Sequence, residues 1–171
     1  MSAVSGPHRR LGLLIAAAIV LLDQLFKLFV IHTLGLAARG PEGIEILPFF
    51  NLTWTQNYGV SMGFFYADTQ LMRWILVAMT FAIASFVAAW MWRERQRGDA
   101  VALSLVLGGA IGNIIDRVRL GYVVDYADFH IGSWKPFLIF NLADAAITIG
   151  VLILLARALL LREKAGSKES R

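Results

Sequence analysis

Four stretches of this chain, at about residues 11–33, 71–92, 100–118 and 138–161, are apolar over close to the length a bilayer demands. A helix needs about 20 such residues to cross the hydrocarbon core. Within lipid every backbone N–H and C=O must find a partner inside the segment, so apolar runs of this kind cross as helices. Only 16% of the 171 residues are charged, while 58% are hydrophobic; soluble domains carry about a quarter charged residues. The expectation is an all-α membrane protein with four transmembrane helices, a single integral membrane domain over residues 1–171. The first run outlasts a secretory signal core and ends in no small-residue cleavage pattern, so it reads as a retained span. Cysteine is absent, which excludes disulfides, thiolate metal sites and a cysteine nucleophile.

The connections alternate in charge. His8, Arg9 and Arg10 precede the first run, Arg93, Arg95 and Arg97 separate the second from the third, and Arg162, Lys164, Lys168 and Arg171 follow the fourth. By the positive-inside rule both termini are cytoplasmic. The net charge of +4 is therefore read as orientation and not as nucleic-acid binding. The longer connections, 34–70 and 119–137, fall on the outer side. In the first of them, residues 50–55 alternate apolar and polar side chains, the period of a half-buried strand. Residues 59–66 offer a partner strand after a turn at Asn57, Tyr58 and Gly59. A small β-sheet with loop elements is expected on the outer (periplasmic) surface, with Trp54, Phe64 and Trp134 as interfacial aromatics. Asp68 or Thr69 is placed to cap the second span.

Ionisable groups in apolar spans are functional candidates by default, because an ionised side chain in mid-bilayer costs at least roughly 2.5 kcal/mol. Asp23 lies about 18 Å along the first run, and Lys27 follows on the same face one turn on. Asn113, Asp116 and Arg117 share the outer end of the third run, Asp125 follows in the connection, and Asp144 opens the fourth. All sit in the outer half. Bland readings cover most of them. Asp23 with Lys27 is a neutralising ion pair. Asp116 with Arg117 is a pair at a helix end, with substrate binding by Arg117 equally open. Asn57, Asn113 and Asn141 satisfy backbone groups. Gly108 and Gly112 form the GxxxG spacing of close helix packing. Asp128 and His130 read as a solvated loop face in preference to a metal-ligand set. Asp125 and Asp144 have no neighbouring cation in sequence, and they are the candidates for an aspartic pair at the membrane surface.

Four blocks in order resemble the lipoprotein signal peptidases (signal peptidase II). They are Leu22-Asp23-Gln24 with Lys27; Asn57-Tyr58-Gly59, an Asn-x-Gly; Gly108 to Asn113 with Asp116-Arg117 and Gly121 to Asp125; and Phe140-Asn141-Leu142-Ala143-Asp144. Val60, Ser61 and Met62 stand where members often carry two alanines and a phenylalanine. The resemblance implies a multi-pass aspartic endopeptidase of the bacterial cytoplasmic (inner) membrane. Such an enzyme removes the signal peptide from diacylglyceryl-modified prolipoproteins, cutting before the lipid-modified cysteine at the outer leaflet face. Its partners are those lipidated signal peptides and the membrane lipids, and it uses no cofactor and no metal. Asp125 and Asp144 take the catalytic positions. Asn57, Gly59, Asn113, Asp116, Arg117 and Asn141 take substrate-binding or supporting ones, as do Asp23 and Lys27.

Two close carboxylates hold a shared proton, because like charges a few ångströms apart resist joint ionisation. The ionised partner then activates a water and the neutral one hydrogen-bonds the scissile carbonyl. Other classes remain open on the residues alone. A Mg²⁺-dependent lipid phosphotransferase would converge Asp125, Asp128 and Asp144. A transporter would need the path of Asp23, Lys27 and Asp116 to continue inward. A Ser/Lys peptidase would pair Ser61 with Lys27.

Overall fold

The computed structural model describes residues 8–40, 43–59, 70–132 and 134–169, with side chains up to residue 160. Helix α1 (Arg9–Leu28) runs on through a π-helical turn at Phe29–Thr33 into a short 3₁₀ turn at Leu36–Ala38. Strands β1 (Ile44–Leu47) and β2 (Phe50–Asn57) follow, then α2 (Gln70–Arg93), α3 (Arg97–Arg119), β3 (Val123–Phe129) and α4 (Leu142–Glu169). Four helices among the described residues are long and apolar enough to cross a membrane, close to the runs anticipated from sequence.

Helix α3 is the axis of the bundle. In its most apolar stretch 56% of residues are buried, against 22%, 22% and 17% in the other three, so α1, α2 and α4 turn most of their surface outward. The exposed Leu, Ile and Phe side chains on those helices are what a lipid environment accepts. Small residues let α3 be surrounded. A Cβ on Gly108 would stand 2.8 Å from the Ala16 carbonyl oxygen, and one on Gly109 would stand 2.3 Å from that of Ala143. The GxxxG spacing thus brings α1 against one side of α3, and Gly109 admits α4 on another.

Three antiparallel strands in the order β1-β2-β3 form the sheet. The alternation at residues 50–55 does make a strand. Its partners, however, are β1 and β3, with Asn51 opposite Asp128 and Thr55 opposite Asp125. Strand β3 falls in the 119–137 connection, for which the sequence offers no strand signal. It is buried from Val123 to Asp128, so it lacks the half-exposed alternation that marks a strand in sequence. The anticipated partner strand at 59–66 lies, beyond Gly59, outside the described residues, as do the Asp68 or Thr69 cap, Ser61 and Phe64. The sheet closes on α1 through a core of Val30, Leu36, Leu52, Val124, Tyr126 and Ala127.

Candidate active site

The fourth span begins at Leu142 and not near residue 138, because the preceding chain is extended. Phe140 and Ala127 exchange backbone hydrogen bonds at 2.8 and 3.1 Å. The helix start is then fully capped. The Asn141 side-chain oxygen accepts from the Asp144 N–H at 2.9 Å, and Asp144 accepts from the Asn141 N–H at 3.2 Å, a reciprocal capping box. The Leu142 N–H donates to the Tyr126 hydroxyl oxygen at 3.1 Å, and the Ala143 N–H to Asp23 at 3.1 Å. The Ala145 N–H reaches the Asn141 carbonyl at 3.1 Å. The four N–H groups that the helix start leaves open, those of Asn141, Leu142, Ala143 and Asp144, are thus all satisfied by side chains.

Asp125 projects from β3 into this cap. It is 2% exposed. Its Oδ1 accepts from Asn141 Nδ2 at 2.6 Å and its Oδ2 from Asn57 Nδ2 at 3.0 Å. Asp144 Oδ1 accepts from Asn113 Nδ2 at 2.8 Å. Asn141 therefore donates to both carboxylates, through its side chain to one and its backbone to the other. Asn113 Oδ1 accepts in turn from Asn141 at 3.3 Å and from Lys27 Nζ at 3.4 Å. The three asparagines do more than serve backbone groups: their amides hold the two acids. Asn57 does both, since its oxygen also accepts from the Gly59 N–H at 3.1 Å, and Gly59 sits at φ 134°.

Burial raises the Asp125 carboxyl, and the neighbouring Asp144 charge adds to the rise, bringing it to about 7. The Asn57 and Asn141 donors and the more distant Lys27 charge pull the other way. Burial also raises the Tyr126 phenol, so it stays neutral as a partner of the α4 start.

Lys27 is the hub of the support beneath. Its Nζ lies 2.8 Å from Asp23 and 2.7 Å from Asp116, and all three residues are 3% exposed or less. The Asp23–Lys27 pair is present as expected, but Asp116 completes it and does not pair with Arg117. Asp116 also accepts from the Val124 N–H at 3.1 Å, which ties β3 to α3 one residue before Asp125. Arg117 is half-buried with its Nε unpartnered, and its charge couples to Asp144, Asp125 and Asp116.

Asp128 is a correction. It is 2% exposed, not on a solvated face, and its Oδ2 meets Lys135 Nζ at 2.7 Å and Thr53 at 3.3 Å. Because strand side chains alternate, Asp128 points to the face of β3 opposite Asp125. Among the described residues no group of three or more His, Cys, Asp or Glu is arranged to hold a metal. Sequence reasoning missed Gln24, which donates to Asp116 at 2.9 Å and Asp23 at 3.2 Å, and Tyr126. Gln24 sits beside Asp23 in the first block, and that adjacency was its only signal. Beside Asp144 an apolar cavity of about 340 Å³ is lined by Phe137, Leu138, Phe140, Thr148 and Ile149.

Four membrane-length helices with linked carboxylates at one end, Asp125 buried and Asp144 half-buried, define a membrane-embedded enzyme. Comparison with solved structures agrees. A chain described as a bacterial membrane enzyme superposes with a TM-score of 0.73 at 31% identity, covering 91% of this chain and 90% of that one. The family model for signal peptidase (SPase) II matches residues 15–160. Lipoprotein signal peptidases of Sphingopyxis alaskensis and Rhizorhabdus wittichii are 55% and 60% identical, covering 100% and 91% of this chain and 98% and 90% of theirs. The chain belongs to the signal peptidase II family, membrane-embedded peptidases that remove signal peptides from prolipoproteins.

Proposed function

We propose that Asp125 and Asp144 form an aspartic dyad that cuts a diacylglyceryl-modified prolipoprotein just before its lipid-modified cysteine. The observation that carries this reading is the joint hold of Asn141 on both carboxylates, at 2.6 Å and 3.2 Å. Asp125, raised to about 7 by burial and by the neighbouring Asp144 charge, holds a proton near neutral pH. The ionised member takes a proton from a water as its oxygen attacks the scissile carbonyl carbon. The neutral member hydrogen-bonds the carbonyl oxygen, and the amine leaves with a proton returned from the dyad. The reaction uses no metal and no cofactor. Arg117 and Asn57 bind the substrate backbone, whose polar groups need partners at this depth. Asn113, Asp116, Asp23 and Lys27 support the pair.

The protein lies in the cytoplasmic (inner) membrane as one integral domain, with both termini cytoplasmic and the dyad at the outer leaflet. The basic residues at the opposite ends of the helices support that orientation. The apolar cavity beside Asp144 supports lateral entry of a lipid-bearing segment. The test is cleavage of a diacylated precursor peptide by purified protein. Asp144→Asn should insert normally and release no signal segment, while chelator should leave the wild type unaffected. Turnover by the variant would remove the dyad; loss of cleavage with chelator would replace it with a metal-dependent mechanism.

A further inference from the structure

Among the described residues helix α2 gives neither acid a hydrogen bond, yet one of its side chains holds the corner on which the site is built. Arg73, in the first turn of α2, donates from Nε to the Arg117 carbonyl at 2.7 Å and from Nη2 to the Val118 carbonyl at 2.6 Å. These oxygens belong to the last turn of α3, which carries partial negative charge; the Arg117 carbonyl also accepts from the Gly121 N–H at 3.2 Å, so Arg73 reinforces the turn there. The guanidinium also covers the turn that follows: a Cβ on Gly121 would meet Nη1 at 3.6 Å. Gly121 is at φ 91°, and from this turn the chain enters β3 and reaches Asp125. Arg117 on one side of the corner and Asp125 on the other are therefore referenced to a single cation on a different helix. The Arg117 side chain has no hydrogen bond at its own Nε to fix its place, although its charge couples to both acids. Its backbone is what is held.

We propose that Arg73 is a positioning residue for the peptidase reaction, gripping the end of α3 so that the Arg117 side chain stands beside Asp125 and Asp144. The inference rests on the dyad reading above. Its distinctive consequence is coupling: Arg73 matters to turnover through Arg117, and removing Arg117 should remove most of the reason for Arg73. A residue that merely caps a helix would lack that dependence.

The test is a double-mutant cycle on kcat/KM for a diacylated precursor peptide, using full-length protein in detergent micelles. Arg73→Ala should lower kcat/KM by about tenfold or more, the scale of lost hydrogen bonds from a charged donor. In an Arg117→Ala background the same change should cost less than about twofold, the coupling expected of residues acting as one unit. Arg73→Lys guards against a folding failure. Lysine keeps the charge but not the planar fork, so it should recover part of the loss when Arg117 is present and none when it is absent. Equal losses in both backgrounds, equal lysine recovery in both, or unchanged activity in Arg73→Ala would each overturn the proposal. Asp125→Asn in the same assay separates the two readings: if it too cleaves the peptide, the dyad has failed, not the positioning.

Discussion

Replacing Asp125 by asparagine should abolish cleavage and, above neutral pH, make the protein more stable. The carboxyl is raised from its ordinary 3.8 to about 7, chiefly by burial. Above both values the ionised form therefore costs the folded state about 4 kcal/mol. The sign follows from where each state titrates. The unfolded chain loses this proton near pH 4, whereas the folded chain keeps it to about pH 7, so over that window this group's contribution to stability falls as pH rises. Asparagine has nearly the shape of the protonated acid and carries no charge to desolvate. Its NH₂ group, however, meets the donors of Asn57 and Asn141, and a mismatched buried donor costs about 1–3 kcal/mol. The variant should thus gain about 1–3 kcal/mol at pH 8 and lose a similar amount at pH 4. At about 2–4 °C per kcal/mol for a chain of this size, the difference in Tm between variant and wild type should swing by roughly 8–16 °C. Thermal unfolding in detergent micelles at both pH values, beside precursor cleavage, measures it. A Tm difference independent of pH would falsify the argument that burial of this charge sets its proton affinity. A variant that still cleaves would remove its catalytic role.

Further consequences concern the residues around the pair. Asn57 donates to Asp125 and favours its ionised form, so Asn57→Leu should push the carboxyl still higher and move the alkaline limb of kcat/KM to higher pH; a limb that stays or moves down contradicts this. Gly109→Ala places a methyl 2.3 Å from the Ala143 carbonyl oxygen. It should cost about 1–3 kcal/mol and lower activity with it, because α4 can yield only by carrying Asn141 and Asp144 away; unaltered Tm and turnover would show that the packing is slack. Lys27→Met leaves Asp23 and Asp116 buried together without their cation, at a cost of about 3–5 kcal/mol. Adding Asp23→Asn and Asp116→Asn should restore much of that stability, and failure to do so in thermal unfolding would mean the triad is not what the lysine serves.

What the chain declared in one dimension was whatever acts over a run of neighbours. Apolar length marked the four spans, since lipid leaves an apolar run little choice but a helix, and alternation marked β2. The i, i+4 spacing gave Asp23 and Lys27 as a pair, and the ordered blocks gave the family with its polar residues. What only tertiary structure decided was which of those residues meet. Asp116 turned out to belong to Lys27 and not to adjacent Arg117, because helical geometry sends consecutive side chains to different faces. Asp128 reached Lys135 and the far side of the strand for the corresponding reason in β structure. Strand β3 carried no periodic signal, because burial on both faces erases alternation. The joint hold of Asn141 on Asp125 and Asp144, and the reach of Arg73 to the end of α3, bring together residues as much as 16 and 45 positions apart. Hydrogen bonds act over about 3 Å, and only the folded chain determines which distant groups come that close.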